Sequence, residues 1–345
     1  MKIFVGEYVC GGGVVDSPLE QVPLELRREG AAMLRAITQD IAEMADVVVS
    51  LDERFDVDIA GAESIPAKSG QSIFSAWINA AKNCDAALIV APESDGILAK
   101  AVSVMRAAGV DVIASSGDFL RVASDKLQTA KVLHSAGVSH PIYMANSDLR
   151  FESQMKGYDR YVLKPRDGCG TQEIQVVQSL DEAKSKLTDD LLLQPWMPGN
   201  PISVALVASG NHQTFLPAVS QKIQIENGSY EGGCGPLDDD AQRRATALAA
   251  RAIAAMPMTA RGFVGLDLLL GRQASEDCVI EVNPRLTTSY VGLRQMINGN
   301  LAARLFDMET GAVSCSVTVN SVSWAPDGKV RISDGLSDKP PASCS

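Results

Sequence analysis

The apolar positions of the chain fall into two textures. Over the first third, short apolar runs alternate with helical patterns: Ile3-Phe4-Val5 leads into an amphipathic stretch over residues 24–45, where Leu26, Met33, Ile37, Ile41 and Met44 recur at helical spacing. Val47-Val48-Val49 and residues 86–91 and 110–114 follow as further strands. Such alternation predicts a parallel sheet. Gly117 closes this unit, and Ser124 is the expected N-cap of a helix that runs to Ala136 and stops at Gly137.

Beyond Gly137 hairpin-like strands replace the strict alternation. Strands at 161–164 and 173–177 flank a short loop over 165–172, and more follow at 191–194, 203–208 and 214–219. A helix over 239–256, apolar strands at 263–270 and 278–282 and a helix near 293–307 complete the main body. Residues 316–333 read as a hairpin turning at Ala325-Pro326-Asp327-Gly328, and 334–345, rich in Ser, Pro and Asp, as a disordered tail. The expected division is an α/β unit at 1–117, a small α+β lobe at 118–193 and a large lobe at 194–333.

Composition narrows the function. The formal charge is −11 without a long basic run, which argues against nucleic acid or an anionic membrane surface as the main partner. No apolar run approaches a membrane span and no secretory pattern opens the chain, so the expected location is the cytoplasm. Seven cysteines without a CxxC pair read as buried or incidental thiols rather than disulfides or zinc ligands. Three scattered histidines give no metal spacing.

The chemistry concentrates late in the chain. Glu281 and Asn283 are two apart on a strand and leave the same face, and Asp267 lies in a neighbouring apolar strand. Oxygen-bearing groups on hydrophobic strands are costly unless satisfied, and hard divalent cations want such ligands. For each carboxylate taken alone, pairing with Arg261 or Arg285 is the alternative; three convergent groups point to magnesium. Lys126 sits in a helical first turn, where a cation is disfavoured unless an anion is near. Lys164 ends a strand beside the loop Asp167-Gly168-Cys169-Gly170-Thr171, whose backbone could approach phosphate, a plain glycine hairpin being the equal alternative. No P-loop, GxGxxG or GxSxG pattern is present.

Taken together, Ser124-Asp125-Lys126, Leu163-Lys164-Pro165 with its glycine loop, the run Gln194 to Gly199, Asp267 and Glu281-Val282-Asn283-Pro284-Arg285 resemble the ATP-grasp superfamily over roughly residues 118–310. Residues 1–117 resemble the small parallel-sheet domain that precedes the grasp. The resemblance implies ATP held between two α+β lobes, with Lys126, Lys164, Gly168, Gly170 and Thr171 near the phosphates. Gln194, Pro195, Trp196 and Met197 would form the adenine hinge. Asp267 and Glu281 would hold one Mg2+, or Mn2+ in its place, and Glu281 and Asn283 a second. Lys164 and Arg285 would serve catalysis, in which a carboxylate attacks the γ-phosphate and an amine captures the acyl phosphate. The family's ribose glutamate is missing from Gly199-Asn200-Pro201-Ile202-Ser203.

A narrower resemblance rests on Glu7-Tyr8-Val9-Cys10-Gly11-Gly12-Gly13, the run Tyr230 to Pro236 and the run Pro284 to Leu293. It is to the tyramine/glutamate ligases of methanofuran and methylofuran-type biosynthesis, and implies γ-glutamyl transfer to tyramine or a related amine. Another ATP-grasp amino-acid ligase and a non-catalytic ATP-binding regulator are the alternatives. Gly11, Gly12 and Gly13 would turn past the acceptor substrate, or form a tight turn without a ligand. Arg294 would pair a substrate carboxylate or be solvated, and 227–233 would form a lid or an ordinary loop. The partners expected are a small acid and amine; a homodimer is kept open.

Overall fold

The computed structural model describes residues 1–168, 174–209, 212–224, 229–315 and 319–334. The first sheet is five-stranded and parallel: β1 (Lys2–Glu7), β2 (Asp46–Leu51), β3 (Ala62–Pro66), β4 (Ala86–Val90) and β5 (Val112–Ile113), in the order β3-β2-β1-β4-β5. Helices α1 (Leu24–Ala42), α2 (Ile73–Ala81) and α3 (Ile97–Ala107) pack against it. The apolar runs of β1 and β4 are buried throughout, as strands covered on both faces must be. The pattern of the sequence missed β3, whose residues are mostly exposed, and the helices that follow it.

Helices α4 (Gly117–Ala123) and α5 (Lys126–Ser135) lead into an antiparallel three-stranded sheet, β7-β6-β8, built from β6 (Tyr161–Pro165), β7 (Gln175–Val177) and β8 (Leu191–Pro195). The short α6 (Glu152–Met155) precedes this sheet and α7 (Leu180–Lys186) packs on it. The cap of α5 is Asp125, not Ser124. Its carboxylate accepts from the amides of Leu127 (2.8 Å) and Gln128 (3.2 Å), while Ser124 already has the helical backbone that closes α4.

The third sheet has the order β14-β13-β9-β11-β12-β15-β16, with β10 on β9. Its strands are β9 (Asn200–Ser209), β10 (His212–Phe215), β11 (Val219–Ile223), β12 (Tyr230–Gly235), β13 (Gly262–Leu270), β14 (Cys278–Asn283), β15 (Val319–Trp324) and β16 (Val330–Asp334). Helix α8 (Asp239–Ala255) covers β9, β13 and β14. The helix expected near 293–307 is two, α9 (Ser289–Met296) and α10 (Leu301–Leu305), parted by Gly299 at φ 84° and recapped by Asn300. Tyr230 to Gly233 are strand rather than open loop. A side chain on Gly233 would strike the Trp324 ring at 2.5 Å, so the glycines that read as a lid permit close strand packing. Residues 227 and 228 of that stretch, and 335–345 of the tail, lie outside the described residues.

One core joins the first sheet to the third. Ile37 and Ile41 of α1 pack in the same cluster as Leu293, Met296 and Leu301, and buried Asp40 fixes the angle. Its carboxylate accepts from Tyr290 Oη (2.5 Å) and Arg294 Nε (2.8 Å). Among the described residues no helix is long and apolar enough to cross a membrane. Asp40→Ala leaves a partly buried guanidinium unpaired and removes the acceptor of buried Tyr290, and should cost about 2 kcal/mol of stability in urea unfolding; a loss near zero would show that α1 and α9 do not depend on this pair.

Candidate active site

Strands β13 and β14 pair antiparallel with Asp267 opposite Glu281 and Gly265 opposite Asn283. Leu266, Leu268 and Val282, which alternate with them, are buried in the core beneath α8, so the three polar side chains share the other face. Asn283 Nδ2 donates to Asp267 Oδ2 (3.0 Å), and Gln221 Nε2, from β11, donates to Oδ1 (2.9 Å). Burial first, and the charge of Glu281 second, push the Asp267 carboxyl up to about 6.

Lys126, the first residue of α5, is held by its backbone amide on the Arg166 carbonyl (2.7 Å). Its ammonium donates to the Gly168 carbonyl and pairs with Glu281 Oε1 at 2.9 Å. The glycine loop, α5 and β14 therefore meet at one cation. Lys164 is 5% exposed on β6, and burial lowers it to about 8 against the opposing charge of Glu281, with Lys126 lowering it further. Gly170 and Thr171 lie outside the described residues.

Gln194 is buried on β8 with its amide 3.5 Å from the Pro141 carbonyl, and Pro195 pairs with Tyr161. The Trp196 amide bonds the Arg160 carbonyl at 2.9 Å, and the Arg160 guanidinium lies 5.4 Å from the centre of the Trp196 ring. Met197, half-buried, follows. The sequence reading overlooked His140, which burial and then the Lys164 charge lower to about 3, keeping it neutral.

Arg285 pairs with Glu93 Oε1 at 2.9 Å, reaching from the end of β14 to the loop after β4. Its charge also acts on Glu7 and Glu29, each of which burial raises to about 7. Glu7 enters the sequence reading only as the start of the glycine motif and the other two not at all; position at or just beyond the carboxyl ends of β1 and β4 of a parallel sheet is the available signal for Glu7 and Glu93. Arg294 is engaged by Asp40 rather than open to a ligand. At the glycine turn, Gly11 O accepts from Ser50 Oγ (2.7 Å), Gly12 has φ 107°, and side chains on Gly12 and Gly13 would strike Ala67 and Tyr8 at 2.5 Å. Protein packing by itself requires these glycines.

The donor set fits a hard cation. Asp267 and Glu281 supply carboxylate oxygens and Asn283 an amide oxygen, and the raised Asp267 is what a nearby positive charge would relieve. No group of three His, Cys, Asp or Glu side chains with metal spacing occurs among the described residues, so phosphate oxygens or water would complete the shell. Cys10, Cys84, Cys278 and Cys315 are free thiols, as expected, but Cys234 is disulfide-bonded, which no sequence spacing signals.

The ATP-grasp domain family matches residues 123–289, and the pre ATP-grasp 3 domain family matches 45–118. With the fold and the site, these matches define the chain as an ATP-grasp protein, an ATP-binding enzyme of the ADP-forming carbon–nitrogen ligase class. Among particular relatives, the tyramine–L-glutamate ligase of Methanocaldococcus jannaschii is 23% identical over 294 residues, 84% of this chain and 83% of that protein. An ATP-grasp superfamily protein from Archaeoglobus fulgidus superimposes with a TM-score of 0.70 at 22% identity, covering 94% and 92% of the two chains. An L-amino acid ligase from Bacillus licheniformis gives 0.65 at 12% identity, covering 93% and 78%.

An ordinary aspartate near 3.8 is here near 6. Between these values the folded protein keeps a proton that the unfolded chain has lost, so stability falls as pH rises through the window, and the full cost stands above pH 6. Asp267→Asn should therefore melt a few degrees above the parent at pH 7.5 in EDTA, the gap narrowing towards pH 4. A midpoint at or below the parent's would contradict the buried charge.

Proposed function

We propose that the chain is a magnesium-dependent acid–amine ligase that joins the side-chain carboxylate of glutamate to tyramine, or a closely related amine, in methanofuran- or methylofuran-type cofactor biosynthesis in the cytoplasm. The observation that carries the reading is the Lys126–Glu281 pair beside Asp267, Asn283 and Lys164. It supplies cations for phosphate and oxygens for metal at the junction of two sheets. The likeness to the M. jannaschii ligase over most of both chains supports the substrate choice. In this reading residues 1–117 form the pre-grasp domain, 118–193 the small lobe and 194–333 the large lobe.

The residues divide the work by charge and position. The backbone of Gln194, Pro195, Trp196 and Met197 holds adenine, with neutral His140 and buried Gln194 behind it. Phosphate oxygens draw Lys126 from Glu281 and, with Gly168, anchor the chain of the nucleotide, while Lys164 becomes fully cationic as anions arrive. Asp267, Glu281 and Asn283 would hold Mg2+, which would supply Lewis-acid neutralisation of the phosphates. A glutamate oxygen then attacks the γ-phosphorus, the bond to the β-phosphate oxygen breaks and ADP leaves; Arg285 offsets the repulsion between the two anions. The amine nitrogen next attacks the acyl carbon, phosphate departs, and the amine's proton passes to a carboxylate near Arg285, for which Glu7 and Glu29 have the suited pKa. Gly11, Gly12 and Gly13 shape the wall on the acceptor side.

Incubation with ATP, Mg2+, L-glutamate and tyramine should release ADP and phosphate with a glutamyl-tyramine product. Release only with pairs of amino acids would move the chain to amino-acid ligation, and none across a broad panel of acids and amines would overturn the reading. Glu281→Gln should lower kcat by at least about 100-fold while nucleotide binding persists; an unchanged rate would remove Glu281 from the mechanism.

A further inference from the structure

Although the chain carries a net charge of −11, one open surface concavity of about 280 Å3, whose lining shares no residue with the nucleotide cleft, is lined by four arginines: Arg27, Arg28, Arg35 and Arg54. Three of them project from one face of α1, since positions 27, 28, 31 and 35 fall within about 100° of each other at 3.6 residues per turn. Ala31, between them, leaves the room. The same helix turns a different face to the active-site side, where a side chain on Gly30 would come within 2.8 Å of Glu7 Oε1. Arg54 and Phe55, and Asp327 from the β15–β16 turn, also line it.

The charges in this cavity are unequally satisfied. Arg54 is neutralised by Asp52 (2.6 Å) and fixed on the carbonyls of Ser17 (2.7 Å) and Val14 (2.8 Å). Asp327 is held by Lys329 at 2.8 Å, with the charge of Arg28 acting on it more weakly. Asp56 is the remaining acid in the lining. Arg27, Arg28 and Arg35 make no ion pair with any described residue, and Arg27 Nε is buried without a hydrogen bond. Three guanidiniums gathered in a concavity repel one another, and a buried donor without a partner costs free energy. Their planar forks match the oxygens of phosphate and carboxylate.

We propose that this cavity is a second ligand site, separate from that for ATP, which takes a small molecule through a phosphate or carboxylate group seated among Arg27, Arg28 and Arg35. The proposal stands independently of the ligase reading. Its test is calorimetric titration of the full chain with inorganic phosphate and, separately, with L-glutamate, at constant ionic strength and with the nucleotide site filled by Mg2+ and a non-hydrolysable ATP analogue. At least one anion should bind one to one in a way that the variants below weaken, since glutamate held at the ligase site itself would be indifferent to them. The double variant Arg27→Gln/Arg35→Gln should weaken it at least tenfold. So should Ala31→Glu, which keeps every arginine but places a carboxylate in the cavity; melting curves confirm that each variant is folded. Loss of phosphate binding alone assigns a phosphate ester, and loss of glutamate binding alone a carboxylate. Absence of binding by either anion, or binding that both variants leave unchanged, overturns the site.

Discussion

Two carboxylates facing each other across a strand pair set the terms for the rest of the structure. Asp267 and Glu281 are opposed in the β13–β14 ladder, one face of which is committed to the core beneath α8. The other face must then carry both acids at close quarters, and the raised Asp267 records the cost. The surrounding elements are placed to offset it. Helix α5 brings Lys126 to Glu281, β6 brings Lys164, β11 brings the Gln221 amide, and Asn283 bridges from β14 itself. The result is a cluster of cations and amide donors packed around the two acids.

The parallel sheet joins this centre through two links of different kind. Arg285 leaves β14 and pairs with Glu93 after β4, so one guanidinium links the polar end of β14 to the sheet's carboxyl edge. Asp40 anchors α1 to α9, the helix that follows Arg285 in the chain, by a partly buried ion pair and a tyrosine hydrogen bond. Glu7 and Glu29, raised by burial and moderated by Arg285, stand at the same edge. The glycine turn at 11–13 belongs to this edge as well, and its tight packing on Tyr8, Ala67 and Ser50 explains its composition without a phosphate.

Much of this was readable in the sequence where polar residues break an apolar pattern. Asp267, Glu281 and Asn283 stand out because strands that feed a core do not otherwise carry them, and Lys126 because helix starts disfavour cations. The core strands β1, β2, β4, β13 and β14 were legible for the same reason. What escaped depends on distance along the chain: Glu93 and Arg285 are separated by 192 positions, and Gln221 reaches Asp267 from another strand. The strand β12 was hidden by its glycines, which signal a loop locally but are demanded by Trp324 from a strand far downstream. Ser124 and Asp125 are both good caps, and only the backbone that closes α4 decides between them.

The claim on which the account rests is that Asp267 and Glu281 form a cation site completed by nucleotide. Titration of Mn2+ into the protein with a non-hydrolysable ATP analogue, followed by the electron paramagnetic resonance of free Mn2+, addresses it without any choice of acid or amine. Saturable Mn2+ binding is expected, weakening at least tenfold in Asp267→Asn while the analogue still binds. Equal Mn2+ affinity in the two proteins would contradict it.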